Sequence, residues 1–232
     1  MRLFGKGLLL TFTEVVAADE ADFNEWYNRE HLDERIDLPG FRRARRYQAI
    51  DAGIKYLSTY EALDADAIGS PRYLEVLRNQ TAWSRRIMGG FTKWHRMSCR
   101  VVADESHGMG TFMSLVRFFP RQQETRELND WLAGEALPAI ARTAGVVGAL
   151  AAAVDLDVDA RLTRGLGQTP NADQMPEWCV LVEGTALDAT LAAVRQQLFG
   201  RLSAAAVPGT APVFETWQML FANMRLSDAE KA

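Results

Sequence analysis

The segment Asn24-Glu-Trp-Tyr-Asn-Arg-Glu-His-Leu32, followed by Leu38-Pro-Gly-Phe41, has a counterpart 105 positions on: Asn129-Asp-Trp-Leu-Ala-Gly-Glu-Ala-Leu137, followed by Thr143-Ala-Gly-Val146. Without a gap, Asn24, Trp26, Glu30, Leu32 and Gly40 recur as Asn129, Trp131, Glu135, Leu137 and Gly145. Further on, Glu61 ends an apolar stretch as Glu183 does, and Phe91-Thr-Lys-Trp94 matches Phe214-Glu-Thr-Trp217, at offsets of 122 and 123. The growing offset places an insertion in the second copy, near residues 156–176. Two copies are too few for a solenoid, so the chain reads as a duplicated domain: residues 1–105 and 110–225, linked by Ser106-His-Gly-Met-Gly110.

Each copy reads strand, helix, strand, strand, helix, strand. In the first, strands are expected at Leu8–Val16, Phe41–Ile50, Tyr56–Leu63 and Trp94–Ala103. Helices are expected at Asp19–Ile36, with Asp19 or Asp22 as cap, and from Ser70-Pro71 to Met88. The second copy repeats the order with strands near Thr111–Phe119, Val146–Asp155, Trp178–Gly184 and Val213–Met224, and helices near Gln123–Arg142 and Leu187–Leu202. β-α-β-β-α-β is the ferredoxin-like split motif. One such unit leaves a sheet face bare, and that face must bury itself. The fold class is therefore α+β: two tandem ferredoxin-like units whose antiparallel sheets pack face to face into a barrel-like core, a pseudo-dimer within one chain. Further homo-oligomerisation is left open.

Composition narrows the partners. With 48% apolar and 24% charged residues and a net charge of -4, the chain is globular, and it lacks the clustered Lys and Arg that nucleic-acid phosphates demand. The apolar run from Ala144 to Val154 falls short of the ~20 residues that cross a bilayer. Arg2 and Lys6 precede an apolar stretch that Thr11, Thr13 and Glu14 interrupt too early for a secretion signal. Cys99 and Cys179 form no short-spaced pair and read as small buried hydrophobes, so a cytoplasmic location is expected. No metal site is expected: His95 and His107 have no ligand-spaced neighbours. Asp155-x-Asp157-x-Asp159 starts like a calcium loop, but Ala160 and Leu166 stand where it needs Gly and Glu.

The duplicated architecture resembles the dimeric α+β barrel superfamily with both protomers fused. In its EthD-like branch an aromatic pair precedes a His by four residues and a Pro-Gly follows it by eight. Trp26-Tyr27, His31 and Pro39-Gly40 are similar to that pattern, although Asp33 stands where that branch often has Pro. The second copy has Pro138 but Ala136 in place of the His. The resemblance puts the site residue at His31 alone. Near-neutral titration lets a His act as acid or base.

Around His31, Glu30 is a second catalytic candidate, or else an ion pair to the following strand that Glu135 would repeat. Trp26, Tyr27, Arg43, Arg45, Tyr47 and Trp94 are candidates for substrate binding. On the strand from Phe41, alternation puts Arg43, Arg45 and Tyr47 on one face with Phe41 and Arg42 and Arg46 on the other. An arginine there could steady an oxyanion, or be solvated or helix-paired; Trp26 and Trp94 have apparent twins and could equally be core. Glu30, Asp33 and Glu34 beside His31 are expected to favour its protonated form, which would discourage haem ligation. The resemblance implies a small-molecule enzyme acting by proton transfer on a hydrophobic, aromatic or polyketide-like compound without an organic cofactor. It would be a lyase, an isomerase or a monooxygenase. The alternative is a haem or small-ligand binding protein without turnover.

Overall fold

In a computed structural model, residues 3–225 are described, so Arg2 lies outside them. The alternation in β1 (Gly7–Val15) sends Leu8, Leu10 and Phe12 to one face and Leu9, Thr11 and Thr13 to the other. The remaining strands are β2 (Phe41–Asp51), β3 (Tyr56–Ala62), β4 (Phe91–Asp104), β5 (Phe112–Phe118), β6 (Val146–Val154), β7 (Trp178–Gly184) and β8 (Val213–Met224). They form one closed antiparallel barrel in the order β1-β3-β2-β8-β5-β7-β6-β4. The N-terminal half contributes β4-β1-β3-β2 and the C-terminal half β8-β5-β7-β6. The halves meet edge to edge as well as face to face, through β2 with β8 and β4 with β6. Closure removes the unpaired N–H and C=O groups that each open edge would leave.

The inward faces make one core of Leu8, Leu10, Phe12, Leu57, Met97, Leu115, Leu181 and Trp217, with both cysteines buried among them. Outside the barrel, the helices form two separate clusters, one over the strands of each half. The first helix runs through Glu20–Trp26, a π-helical turn at Tyr27–His31, and Leu32–Ile36. A 3-10 turn at Ala17–Asp19 precedes it, and neither expected cap forms there: Asp19 makes no side-chain cap bond, and Asp22 is taken by Trp83 and Arg86. The turn after the helix needs Gly40 at φ 90°, and its counterpart Gly145 sits at φ 87°. Only glycine takes that conformation without steric cost. The expected helix from Ser70 to Met88 is broken into Pro71–Arg78 and Ala82–Gly89, capped by Ser70 and Thr81.

The insertion holds a helix, Leu156–Gly165, that was not anticipated. Asp155 caps it by accepting from the Val158 N–H at 3.1 Å, so the failed calcium signature is a helix start. Its Val158 and Leu162 are fully buried in the helical cluster of the N-terminal half. Among the described residues no helix is long and apolar enough to cross a membrane, and no three metal-ligating side chains cluster.

Candidate functional site

Strand register, set by which face is buried, decides which residues meet. β1 pairs Thr11 with Arg96 and Thr13 with Trp94 on the outer face of the barrel, and Leu9 with Tyr60 beside them. The first helix crosses that face. In an α-helix, Trp26 and His31 would lie about 140° apart, since five residues turn about 500°. The π turn instead brings them onto one line, with ring centroids 4.0 Å apart and planes at 33°. Tyr27 meets the imidazole edge-on at 5.0 Å and Tyr60 at 6.4 Å. Between helix and strands lies a small cavity of about 50 Å³, lined by His31, Arg35, Tyr60, Thr11, Arg96 and Trp94 among others. Among the described residues no carboxylate lines it.

Several of the cavity's polar atoms lack partners among the described residues. Thr11 Oγ1, Thr13 Oγ1, His31 Nδ1 and Arg96 Nε are buried without a hydrogen bond. An unpartnered buried polar group costs about 1–3 kcal/mol, so four at one place single out this cavity as the candidate site. His31 is 7% exposed. Burial first, then the positive charges of Arg35 and Arg46, hold its pKa well below the usual value, so the ring is neutral. This corrects the expectation of a protonated His31. Glu34 comes no closer than 3.9 Å to Nδ1 and is engaged by Arg35 at 3.0 Å, while two guanidinium groups oppose a third cation. Burial pushes the Tyr60 hydroxyl up as well, keeping it a donor.

Of the residues singled out from the sequence, His31, Trp26, Tyr27 and Trp94 meet at this cavity. Glu30 does not line it: it accepts from Thr81 Oγ1 at 2.6 Å and Ser84 Oγ at 3.0 Å, fastening the first helix to Ala82–Gly89. It makes no ion pair to the following strand, and its counterpart Glu135 is exposed. Arg43, Arg45 and Tyr47 point the other way. A bulge between Phe41 and Arg43 shifts the alternation, so Phe41 stays under the helices and these three enter the barrel. There Arg43 donates to Glu61 through Nε at 2.8 Å and Nη2 at 2.9 Å. Arg45 bonds Glu183 of the other half and reaches Glu61 at 3.2 Å, and Tyr47 OH donates to Glu183 at 2.8 Å. Arg46, on the helix side, lies 4.1 Å from the Tyr27 ring centroid.

Arg35, Arg96, Thr11 and Thr13 were not singled out, whereas Tyr60 belonged to the aromatic residues expected to line a pocket between helix and sheet. The signal of the strand residues was present as polar side chains on an outward face where the other half is apolar. Thr11 corresponds by register to Val116, Tyr60 to Val182 and Arg96 to Phe214. With Leu132 and Ala136 in place of Tyr27 and His31, these residues fill the C-terminal half's helical cluster. Register also undoes the matching of Trp94 with Trp217. Leu8 pairs with Cys99 as Met113 pairs with Trp217, so the counterpart of Trp217 is Cys99. Trp217 is fully buried inside the barrel, and Trp94 is 52% exposed at the cavity mouth.

No protein-family model and no curated protein matches the chain. Solved structures do. An anthrone oxidase-like protein superposes with a TM-score of 0.67 at 13% identity, covering 96% of this chain and 93% of that one. A protein described as a putative monooxygenase from Lactobacillus acidophilus NCFM gives 0.61 at 10% identity, over 94% and 96%. A haem-binding protein from Thermus thermophilus gives 0.54 at 14%, over 95% and 93%. At such identities the likeness shows the fold alone, a closed α+β barrel.

Proposed function

We propose that the chain is a fused pair of ferredoxin-like units of EthD-like type and that its N-terminal unit, residues 1–105, is a small-molecule enzyme acting by proton transfer at His31. One observation carries this reading: a neutral, buried imidazole lines an aromatic cavity in which Thr11 Oγ1, Thr13 Oγ1 and Arg96 Nε have no partner among the described residues. A neutral imidazole of low basicity suits an acidic proton, such as a C–H flanked by a carbonyl and an aryl ring. His31 accepts that proton. The oxyanion left on the substrate faces the Arg35 guanidinium and the Tyr60 O–H, both aimed at the same space. Trp26, Tyr27 and Trp94 hold a flat apolar ligand. Isomerisation, dehydration and cofactor-free oxygenation all open with this step. The C-terminal unit, 110–225, is scaffold.

The alternative of haem held by His31 fits the residues poorly. An axial His orients itself by donating its other ring N–H to an acceptor. Here Nδ1 has no acceptor, and three aromatic rings within 6.4 Å of the imidazole occupy the room a porphyrin needs.

The experiment is solvent exchange at C10 of anthrone, a methylene between two aryl rings and para to a carbonyl-bearing carbon. The protein should accelerate deuterium loss from C10, and His31→Gln should lower that rate roughly 10²–10⁴-fold. Equal rates for the two proteins would overturn the role of His31.

A further inference from the structure

We infer that the cavity selects an anionic ligand through Arg96, a specificity-determining residue that Asp159 of the inserted helix holds in position. This rests on the cavity being the ligand site and adds the charge its ligand carries. Three observations point the same way.

The first is the charge of the lining. Two guanidinium groups, Arg35 and Arg96, line the cavity and, among the described residues, no carboxylate does; their partners Glu34 and Asp159 sit outside the lining. In a site walled by Trp26, Tyr27, Tyr60, Tyr73 and Phe91, a negative group would meet the cationic member of each pair first.

The second is the difference between the two arginines. Arg35 spends Nη1 on Glu34 at 3.0 Å and lies over the Tyr73 ring at 5.6 Å. Arg96 is only 11% exposed in its side chain, and its Nε is buried with no acceptor. A guanidinium presents its donors as a planar fork suited to a carboxylate or enolate. The Arg96 Nε–H is therefore left as an unused donor beside the Nη2 that Asp159 engages.

The third is what fixes that fork. Asp159 Oδ1 accepts from Arg96 Nη2 at 3.2 Å, and Trp94 lies 5.5 Å from the guanidinium carbon. Asp159 is itself held by Gln174 at 3.2 Å, on a helix anchored by buried Val158 and Leu162. The C-terminal half thus reaches across the barrel seam to complete a site that otherwise belongs to the N-terminal half. The register counterpart of Arg96 is Phe214, so barrel geometry alone does not require a cation there.

The test uses 2-naphthoate and its neutral isostere 2-naphthylmethanol, titrated calorimetrically into the full chain. The wild type should bind the naphthoate at least tenfold tighter. Arg96→Gln should bring the two to parity by weakening only the naphthoate. Asp159→Ala should cut the preference at least threefold and leave the Kd of the alcohol unchanged, a selectivity that general loosening would not give. Equal binding of both probes by the wild type, or an undiminished preference in Arg96→Gln, would overturn the inference while leaving the cavity as the ligand site. Tighter naphthoate binding by Asp159→Ala would show that this carboxylate screens Arg96 instead of positioning it. Failure of both probes to bind would overturn the cavity reading, and this inference with it.

Discussion

Replacing Glu183 with Ala removes one carboxylate from a closed group of buried charges. Arg43 and Arg45 face Glu61 and Glu183 inside the barrel, with side chains no more than 8% exposed. Glu61 is already bound through both oxygens by Arg43, so Arg45 would keep only its 3.2 Å contact to Glu61. Tyr47 would lose its acceptor too. Arg45 cannot shed its proton, since its charged partners outweigh burial and raise its pKa further. Breaking a buried pair from one side costs about 3–5 kcal/mol, a large share of the ~5–15 kcal/mol that keeps a domain folded. With a urea slope of roughly 2–3 kcal/mol/M, the unfolding midpoint should fall by about 1–2 M. The triple variant Arg45→Leu, Tyr47→Phe, Glu183→Leu removes Arg45 together with its counter-ion and the Tyr47 hydroxyl, leaves Arg43 paired with Glu61, and should return to within about 1–2 kcal/mol of wild type. Leu150 and Ala152 hold the matching places on β6. A loss below about 1 kcal/mol for Glu183→Ala would refute the reasoning, because Glu183 could not then be the counter-ion of Arg45.

Three further outcomes follow from the same geometry. The pKa of His31 is lowered in the folded chain, so the unfolded chain binds the extra proton as pH falls through about 6.5; stability should drop on acidification below that point by up to about 1.4 kcal/mol per pH unit, and urea melts of His31→Phe should lose that part of the dependence. Arg35, Arg46, Glu34, Tyr27 and Tyr60 surround the ring, and burial, reinforced by the two cations, sets the direction. Residues 1–105 expressed alone would open β2 and β4, which β8 and β6 cover, and should aggregate or self-dimerise; a stable monomer in sedimentation would contradict the closed barrel. Asp155→Ala removes the cap of the inserted helix and should cost about 1 kcal/mol in thermal or urea unfolding, with an unchanged midpoint excluding the capping role.

The fold was legible because the order of elements is spelled twice along the chain, and the strands fall within a few residues of their expected ends. The inserted helix was not, since its polar start imitated a metal loop. The candidate site was placed by the family resemblance and by what only the first copy carries, His31 against Ala136 together with Tyr27, Tyr47 and the arginine strand; of these, His31 and Tyr27 line the cavity. Its floor was missed because strand faces cannot be assigned without register. One bulge after Phe41 turned Arg43, Arg45 and Tyr47 inward, and shared Phe-x-x-Trp spelling hid that Trp94 and Trp217 occupy different strand positions. The charge state of His31 was misjudged for a related reason: helix neighbours are visible in sequence, whereas the burial that does most to lower its pKa, and Arg46 arriving from β2, are not.

The most direct test of the account is to watch the six tryptophan indole N–H signals during titration with 2-naphthylmethanol. Trp26 and Trp94 line the cavity, while Trp131 sits at the register counterpart of Trp26 in the other half and Trp217 lies inside the barrel. The Trp26 and Trp94 signals should shift together along one single-site curve, with Trp131 and Trp217 still. Saturable shifts centred on Trp131, or on both halves alike, would place the ligand site where this account puts only scaffold.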